Sequence, residues 1–238
     1  MVRRDWRPPT MKRLFAALAG LVVLLAFTTA STAQERQRNR SQQGSEDRAG
    51  AFDFYVLSLS WSPTFCASDD RGRNRQQCGT DKRFRFVVHG LWPQYETGFP
   101  DFCRSSEPER VPRQLGEKLF DIMPSMGLIG HQWRKHGSCT GLDQPTYFDT
   151  VRKAFERVKL PTELAGGQSP LKLPPDAIEQ TFISANPGLS RRGIAASCEG
   201  EKLDEIRICL TKDLQFRDCA EVDRRGCRIG QVTLPPAR

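Results

Sequence analysis

Two of the chain's three histidines lie in His131-Gln132-Trp133-Arg134-Lys135-His136-Gly137-Ser138-Cys139. The third, His89, lies in Phe86-Val87-Val88-His89-Gly90-Leu91-Trp92-Pro93-Gln94. None is left over for the rest of the chain. Three of the four tryptophans, Trp61, Trp92 and Trp133, fall in or near the same aromatic-rich parts. A helix turns by about 100° per residue, so relative to His131 a helical Lys135 lies at about 40°, Gln132 at about 100° and His136 at about 140°. These four share one arc, with His131 over Lys135 and Gln132 over His136, while Trp133 and Arg134 point elsewhere. The face offers two titratable imidazoles, one cation and one amide. That set suits a phosphoryl group gaining negative charge in a transition state. Gly137 reads as the helix stop.

Two chemistries compete for these residues. A zinc hydrolase signature places two histidines four apart with a glutamate between them. Here the spacing is five and the glutamate is missing, so no metal is expected. Phosphodiester transfer in RNA needs less, because the 2′-hydroxyl is a built-in nucleophile. It requires a base, an acid for the departing 5′-oxygen, and charge stabilisation at phosphorus. Imidazoles with an ordinary pKa of about 6.5 can share the acid and base roles. Lys135 and a third histidine can stabilise the charge. Trp92 and Tyr95 are candidates for stacking bases.

Composition permits a polyanionic partner without demanding one. The formal net charge is +8, from 36 Lys and Arg against 28 Asp and Glu. Five of those cations and one of those anions precede residue 34, which leaves +4 for the remainder. Leu14 to Phe27 is an apolar run behind Lys12 and Arg13, ending near Ser31-Thr32-Ala33. It is short for a membrane span, which needs about 20 residues. Residues 1–33 therefore read as a secretory signal peptide, with Met1 or Met11 as the start. A secreted or periplasmic protein is expected, a monomer with no stable membrane association after cleavage. All eight cysteines follow the cleavage site, and an even count in an exported chain argues for disulfides. Their spacing leaves the pairing open.

The elements that must hold the histidines can be read coarsely. Residues 34–50 are polar and aperiodic, a disordered linker ahead of a folded domain at 51–238. Phe52 to Trp61 carries apolar residues on both alternating faces, as in a strand buried on both sides. A polar loop between Cys66 and Cys78 follows. Phe84 to Val88 reads as a second strand with His89 at its end. Helices are expected over 112–123, 146–158 and 175–185, and a loop over 165–175. From Gly193 the period becomes two, with Ile206, Ile208 and Leu210 alternating with Arg207, Cys209 and Thr211. Turns and short strands fill 193–232. The class is α+β, a central antiparallel sheet with flanking helices, stapled by disulfides.

The two histidine segments closely resemble the active-site segments of the secreted T2-type ribonucleases, and Tyr55 to Cys66 resembles that family's first core strand. The resemblance extends from about Phe54 to Cys227. It implies cleavage of single-stranded RNA through a 2′,3′-cyclic phosphate, with loose base specificity and no metal or other cofactor. By position, His89 looks like the acid, His136 the base, His131 a phosphate contact and Lys135 the transition-state cation, with Trp92 at the base site. The resemblance further implies the pairs Cys66–Cys78, Cys103–Cys139, Cys198–Cys227 and Cys209–Cys219, the last nested in the third.

The chain departs from the family at one site position. Gln132 stands where the family usually has glutamate. An amide donates a hydrogen bond to a phosphoryl oxygen but carries neither charge nor proton, which bears on rate and pH optimum. The alternative is a catalytically weak secreted protein of the same fold that binds RNA or another polyanion without cutting it. The intact His89, Lys135 and His136 weigh against that alternative.

Overall fold

The eight-residue strand β1, Phe54–Trp61, is almost wholly buried, and the sheet is built outward from it. The computed structural model describes residues 48–69, 72, 74–79, 83–164 and 169–237. The expected signal peptide, and all but the last three residues of the expected linker, lie outside these. The last of those three is tied to the domain, with the Gly50 N–H donating to the Cys139 carbonyl at 2.9 Å.

On one side β1 pairs antiparallel with β2, Phe86–Gln94, and on the other with β5, Lys202–Leu210. Strand β4, Ile194–Glu199, pairs antiparallel with β5. The strand order β2-β1-β5-β6-β3 is completed by β6, Val232–Leu234, and β3, Leu171–Leu173. Every pairing is antiparallel except the short parallel contact of β5 with β6.

The alternation of β1 divides the interior. Tyr55, Leu57, Leu59 and Trp61 join the large core, which also takes Trp133, Tyr147, Phe148 and Phe182 from the helical layer. Phe54 and Val56 face the other way, into a small cluster with Cys209, Cys219 and Val222, against which Trp92 packs. A strand buried on both faces needs apolar residues at every position, and this one largely has them.

The helices are α1, Ser62–Ala67; α2, Arg75–Cys78; α3, Arg113–Glu117; α4, Met126–Lys135; α5, Gln144–Arg157; α6, Pro175–Ala185; and α7, Ala220–Arg224. Helix α4 starts where Ser125 Oγ accepts the Leu128 N–H at 3.3 Å, an N-cap satisfying one of the free donors of the first turn. Helix α5 has the same device, with Asp143 accepting from Thr146 at 2.7 Å.

Several expectations need correction. The loop between Cys66 and Cys78 is framed by α1, which seats Pro63 in its first turn, and by α2. The helix expected over 112–123 ends at Glu117 and continues as turns with i→i+3 bonds, Gly116 to Leu119 and Leu119 to Ile122. That tightening brings the Ile122 carbonyl to the Val88 N–H of β2 at 2.8 Å. The loop expected over 165–175 contains β3, and α7 interrupts the turns expected after Gly193. Four disulfides join Cys66–Cys78, Cys103–Cys139, Cys198–Cys227 and Cys209–Cys219.

Candidate active site

His89 does not sit at a strand end, as expected, but in the middle of β2. Ser58 pairs with Gly90 and Leu59 with Val88, so His89 is an extra residue, a β-bulge. The bulge decides which way His89 points. Leu91 faces the large core, and strict alternation would send residue 89 there too. The extra residue resets the pleat, so that Val88 and Leu91 both enter the core. His89 and Trp92 then line a cavity of about 500 Å3 on the opposite face of the sheet.

Helix α4 supplies the other wall. His131, Gln132, Lys135 and His136 all line the cavity, while Trp133 is buried in the core against Tyr147. The arc drawn from the sequence holds, with one change. The α-helix ends at Lys135, and His136 occupies the cap position with φ −121° before a 3-10 turn, Gly137–Thr140. The non-helical backbone at His136 accompanies a ring that lies over Trp92, centroids 5.3 Å apart and planes at 29°.

Each polar side chain of the cavity has a distinct environment. His89 Nδ1 is hydrogen-bonded to Glu205 Oε1, and the other carboxylate oxygen of Glu205 accepts from Arg207 Nε at 2.9 Å. Burial alone would raise the Glu205 carboxyl. The hydrogen bond and charge of His89, with those of Arg207, outweigh it and hold the group down to about 2. An ionised carboxylate can only accept, so the Nδ1 proton of His89 is committed to it and Nε2 is left for a ligand. His136 is the opposite case. Its Nδ1 is buried and has no hydrogen-bond partner among the described residues. Protonation would bury a charged ring with an unpaired donor. Burial first, then the charges of Lys135, His89 and His131, push its pKa down to about 3. His131 is exposed and shifted the same way, by partial burial and then by Lys135, Arg134 and His89.

Gln132 is fully buried, and its Oε1 accepts from Trp92 Nε1 at 2.7 Å. Its side chain is thus tied to the indole and not to His136, the neighbour expected from helical spacing. Gly90 makes room for that bond. A Cβ there would lie 2.1 Å from Gln132 Oε1 and 2.3 Å from Trp92 Nε1. Trp92 also meets His89 edge-on at 5.4 Å. Tyr95 lines the cavity and packs partly against the large core, and Phe99, 42% exposed, lies at the mouth with Lys135 Nζ 6.0 Å from its ring centroid. A second cavity of about 300 Å3, lined among others by Ser60, Val87 and Leu128, shares His89 and His131 with the first. Among the described residues no three His, Cys, Asp or Glu side chains are placed to hold a metal ion.

Residues 52–219 match the family model described as the Ribonuclease T2 family. The chain belongs to the ribonuclease T2 family. A ribonuclease of Aeromonas hydrophila is 34% identical over 170 residues, 69% of this chain and 74% of that one. A probable ribonuclease of Haemophilus influenzae is 32% identical over 70% of this chain and 61% of its own length. The fold is shared with an RNase-related protein from Calystegia sepium, with a TM-score of 0.62 and 22% identity over 79% of this chain and 98% of that one. It is also shared with RNase NT, solved in complex with 5′-AMP, at a TM-score of 0.55 and 21% identity over 78% and 98% of the two chains. The cavity is therefore the candidate active site of a T2 endoribonuclease.

Sequence reading missed Glu205, Arg207 and Phe99 in this T2 ribonuclease. A signal for the first two existed. The period of two that set Ile206 and Ile208 toward the core puts Glu205 and Arg207 on the opposite face. Linking them to His89 required the register. Ser58 stands between Gly90 and Arg207, and Ser60 pairs with Glu205. Small serines on the intervening strand leave space for a side chain of β2 to reach one of β5.

Proposed function

We propose that the protein cleaves single-stranded RNA by transphosphorylation through a 2′,3′-cyclic phosphate, without a metal. His136 takes the proton of the 2′-hydroxyl, and His89 protonates the departing 5′-oxygen through Nε2. The observation that supports this division most is the contrast between the two rings. The His136 environment favours the neutral imidazole, which is a base. The His89 ring is held by an ionised carboxylate, which fixes the tautomer and supplies a countercharge when both nitrogens are protonated.

Lys135 and the Gln132 amide supply a cation and a neutral donor for the phosphorane oxygens, and His131 contacts the phosphate from the rim. Trp92 and Tyr95 border the base beside the scissile bond. Stacking and a few contacts at the mouth discriminate weakly among bases, so low base specificity follows. An exported monomer is the setting this reading gives the enzyme, supported by the apolar run Leu14 to Phe27 and by four disulfides. N-terminal mass analysis of material recovered outside the cytoplasm should show a start near residue 34.

The deciding experiment uses a set of dinucleoside monophosphates with EDTA present, products separated by chromatography. Accumulation of the 2′,3′-cyclic phosphate, unchanged rates in chelator and no cleavage of the deoxy analogues are expected. Loss of activity in EDTA that zinc or magnesium restores would overturn the mechanism.

A further inference from the structure

Phe102 is not accounted for by the site or the core. Its side chain is 58% exposed, the most exposed large apolar residue among those described. Its backbone is in the left-handed region, φ 46°, shared among described non-glycine residues only with Leu214. An aromatic residue held there is a departure that the surrounding structure has to impose. The restraints are visible. The Phe102 N–H donates to the Lys135 carbonyl at 2.9 Å, and the next residue, Cys103, is joined to Cys139. The backbone that carries the ring is thereby fixed relative to the end of the helix carrying the site. It meets His131 edge-on, centroids 6.4 Å apart and planes at 74°.

Arg134 lies beside it. The two share a cavity of about 530 Å3, outside the one that holds His89 and His136. Arg104, Glu107 and Glu109 also line that cavity. On its other side Arg134 borders a groove of about 540 Å3 with Arg110, Arg113 and Glu109. Arg113 is paired with Glu117, but Arg134 and Arg110 make no ion pair among the described residues. Helical spacing sets Arg134 next to His131 on the rim, and its charge is felt there.

An exposed aromatic ring on a restrained backbone, beside an unpaired guanidinium, is the combination that binds an unpaired nucleotide. The ring stacks the base and the cation takes the phosphate. We propose that Phe102 and Arg134 form a further nucleotide subsite on the outer side of His131, engaging an RNA strand beyond the two nucleotides at the scissile bond. This rests on the ribonuclease reading above and adds a preference for longer substrates to it.

The test compares kcat/KM on a dinucleoside monophosphate and on a single-stranded RNA octanucleotide. The proteins are the natural one, Phe102→Asn, Phe102→Tyr and Arg134→Gln. Asparagine tolerates the left-handed backbone, so Phe102→Asn removes the ring without disturbing the fold. The octanucleotide-to-dinucleotide ratio is expected to fall about tenfold in Phe102→Asn, the scale of one stacked base, and to recover in Phe102→Tyr. Arg134→Gln is expected to flatten the salt dependence on the octanucleotide by about 0.7 in logarithmic slope, one phosphate contact. Ratios and slopes equal to those of the natural protein, with the dinucleotide still cleaved, would overturn the subsite alone. A natural protein that cleaves neither substrate would overturn the ribonuclease reading and the subsite with it.

Discussion

His89 and Glu205 are joined by a hydrogen bond across 116 positions of sequence and across the whole width of strand β1. The bond holds Nδ1 of the imidazole, and the proposed mechanism gives the other nitrogen to the substrate. Glu205→Gln keeps the shape but loses the charge-assisted bond. Such bonds contribute about 1.5–3 kcal/mol, so kcat should fall by roughly 10- to 150-fold, with KM for a dinucleotide little changed. Arg207→Gln, which leaves His89 its partner, should fall less. Equal losses in the two variants would mean that Glu205 acts on the fold and not on the ring.

Gln132 offers a pH experiment. Replacing it by glutamate puts a carboxylate among Lys135, His131 and His136; above its own ordinary pKa of about 4.3 that ionised group favours the charged form of His136 and raises its pKa from about 3. A higher pKa leaves less free base at a given acidic pH. The acidic limb of kcat/KM on one dinucleotide should therefore lie at higher pH in Gln132→Glu than in the natural protein. Superimposable limbs would show that residue 132 does not sense His136.

His136 also ties stability to pH. Its pKa is about 3 when folded and 6.5 when unfolded, so between these values the unfolded chain binds the extra proton. Stability is then lost as pH falls from 6.5 toward 3. Glu205, about 2 when folded and 4.5 unfolded, adds a separate loss only below 4.5. Between pH 7 and 5 the His136 contribution is on the order of 2 kcal/mol. Urea unfolding at those two pH values should show this loss in the natural protein. It should be much smaller in His136→Phe, which keeps an aromatic ring on Trp92.

The Cys103–Cys139 link closes 36 positions and fixes Phe102 against the end of the site helix. Loop entropy suggests about 3–4 kcal/mol, or roughly 10 °C in Tm for a domain of this size. Replacing both cysteines by alanine should lower Tm by that amount and reduce activity on long RNA together with it. A variant that melts lower yet cleaves long RNA at the natural rate would separate the staple from the site.

The sequence alone determined which residue types meet. Three histidines confined to two stretches, a lysine and a glutamine on one helical arc, and eight cysteines after an apolar N-terminal run sufficed to point to acid–base phosphodiester chemistry. These are local patterns with a period of 3.6 or 2, and neighbouring residues carry them. The bulge at His89, the Gln132–Trp92 bond over Gly90 and the Glu205 clamp are different in kind. Each depends on strand register, and a shift of one residue would turn His89 into the core and away from Glu205. Register is settled by how β1, β2 and β5 bury their apolar faces together, a property of three segments that lie far apart in the chain. Only the tertiary structure could therefore decide which carboxylate holds the histidine, and which of the two imidazoles is kept neutral.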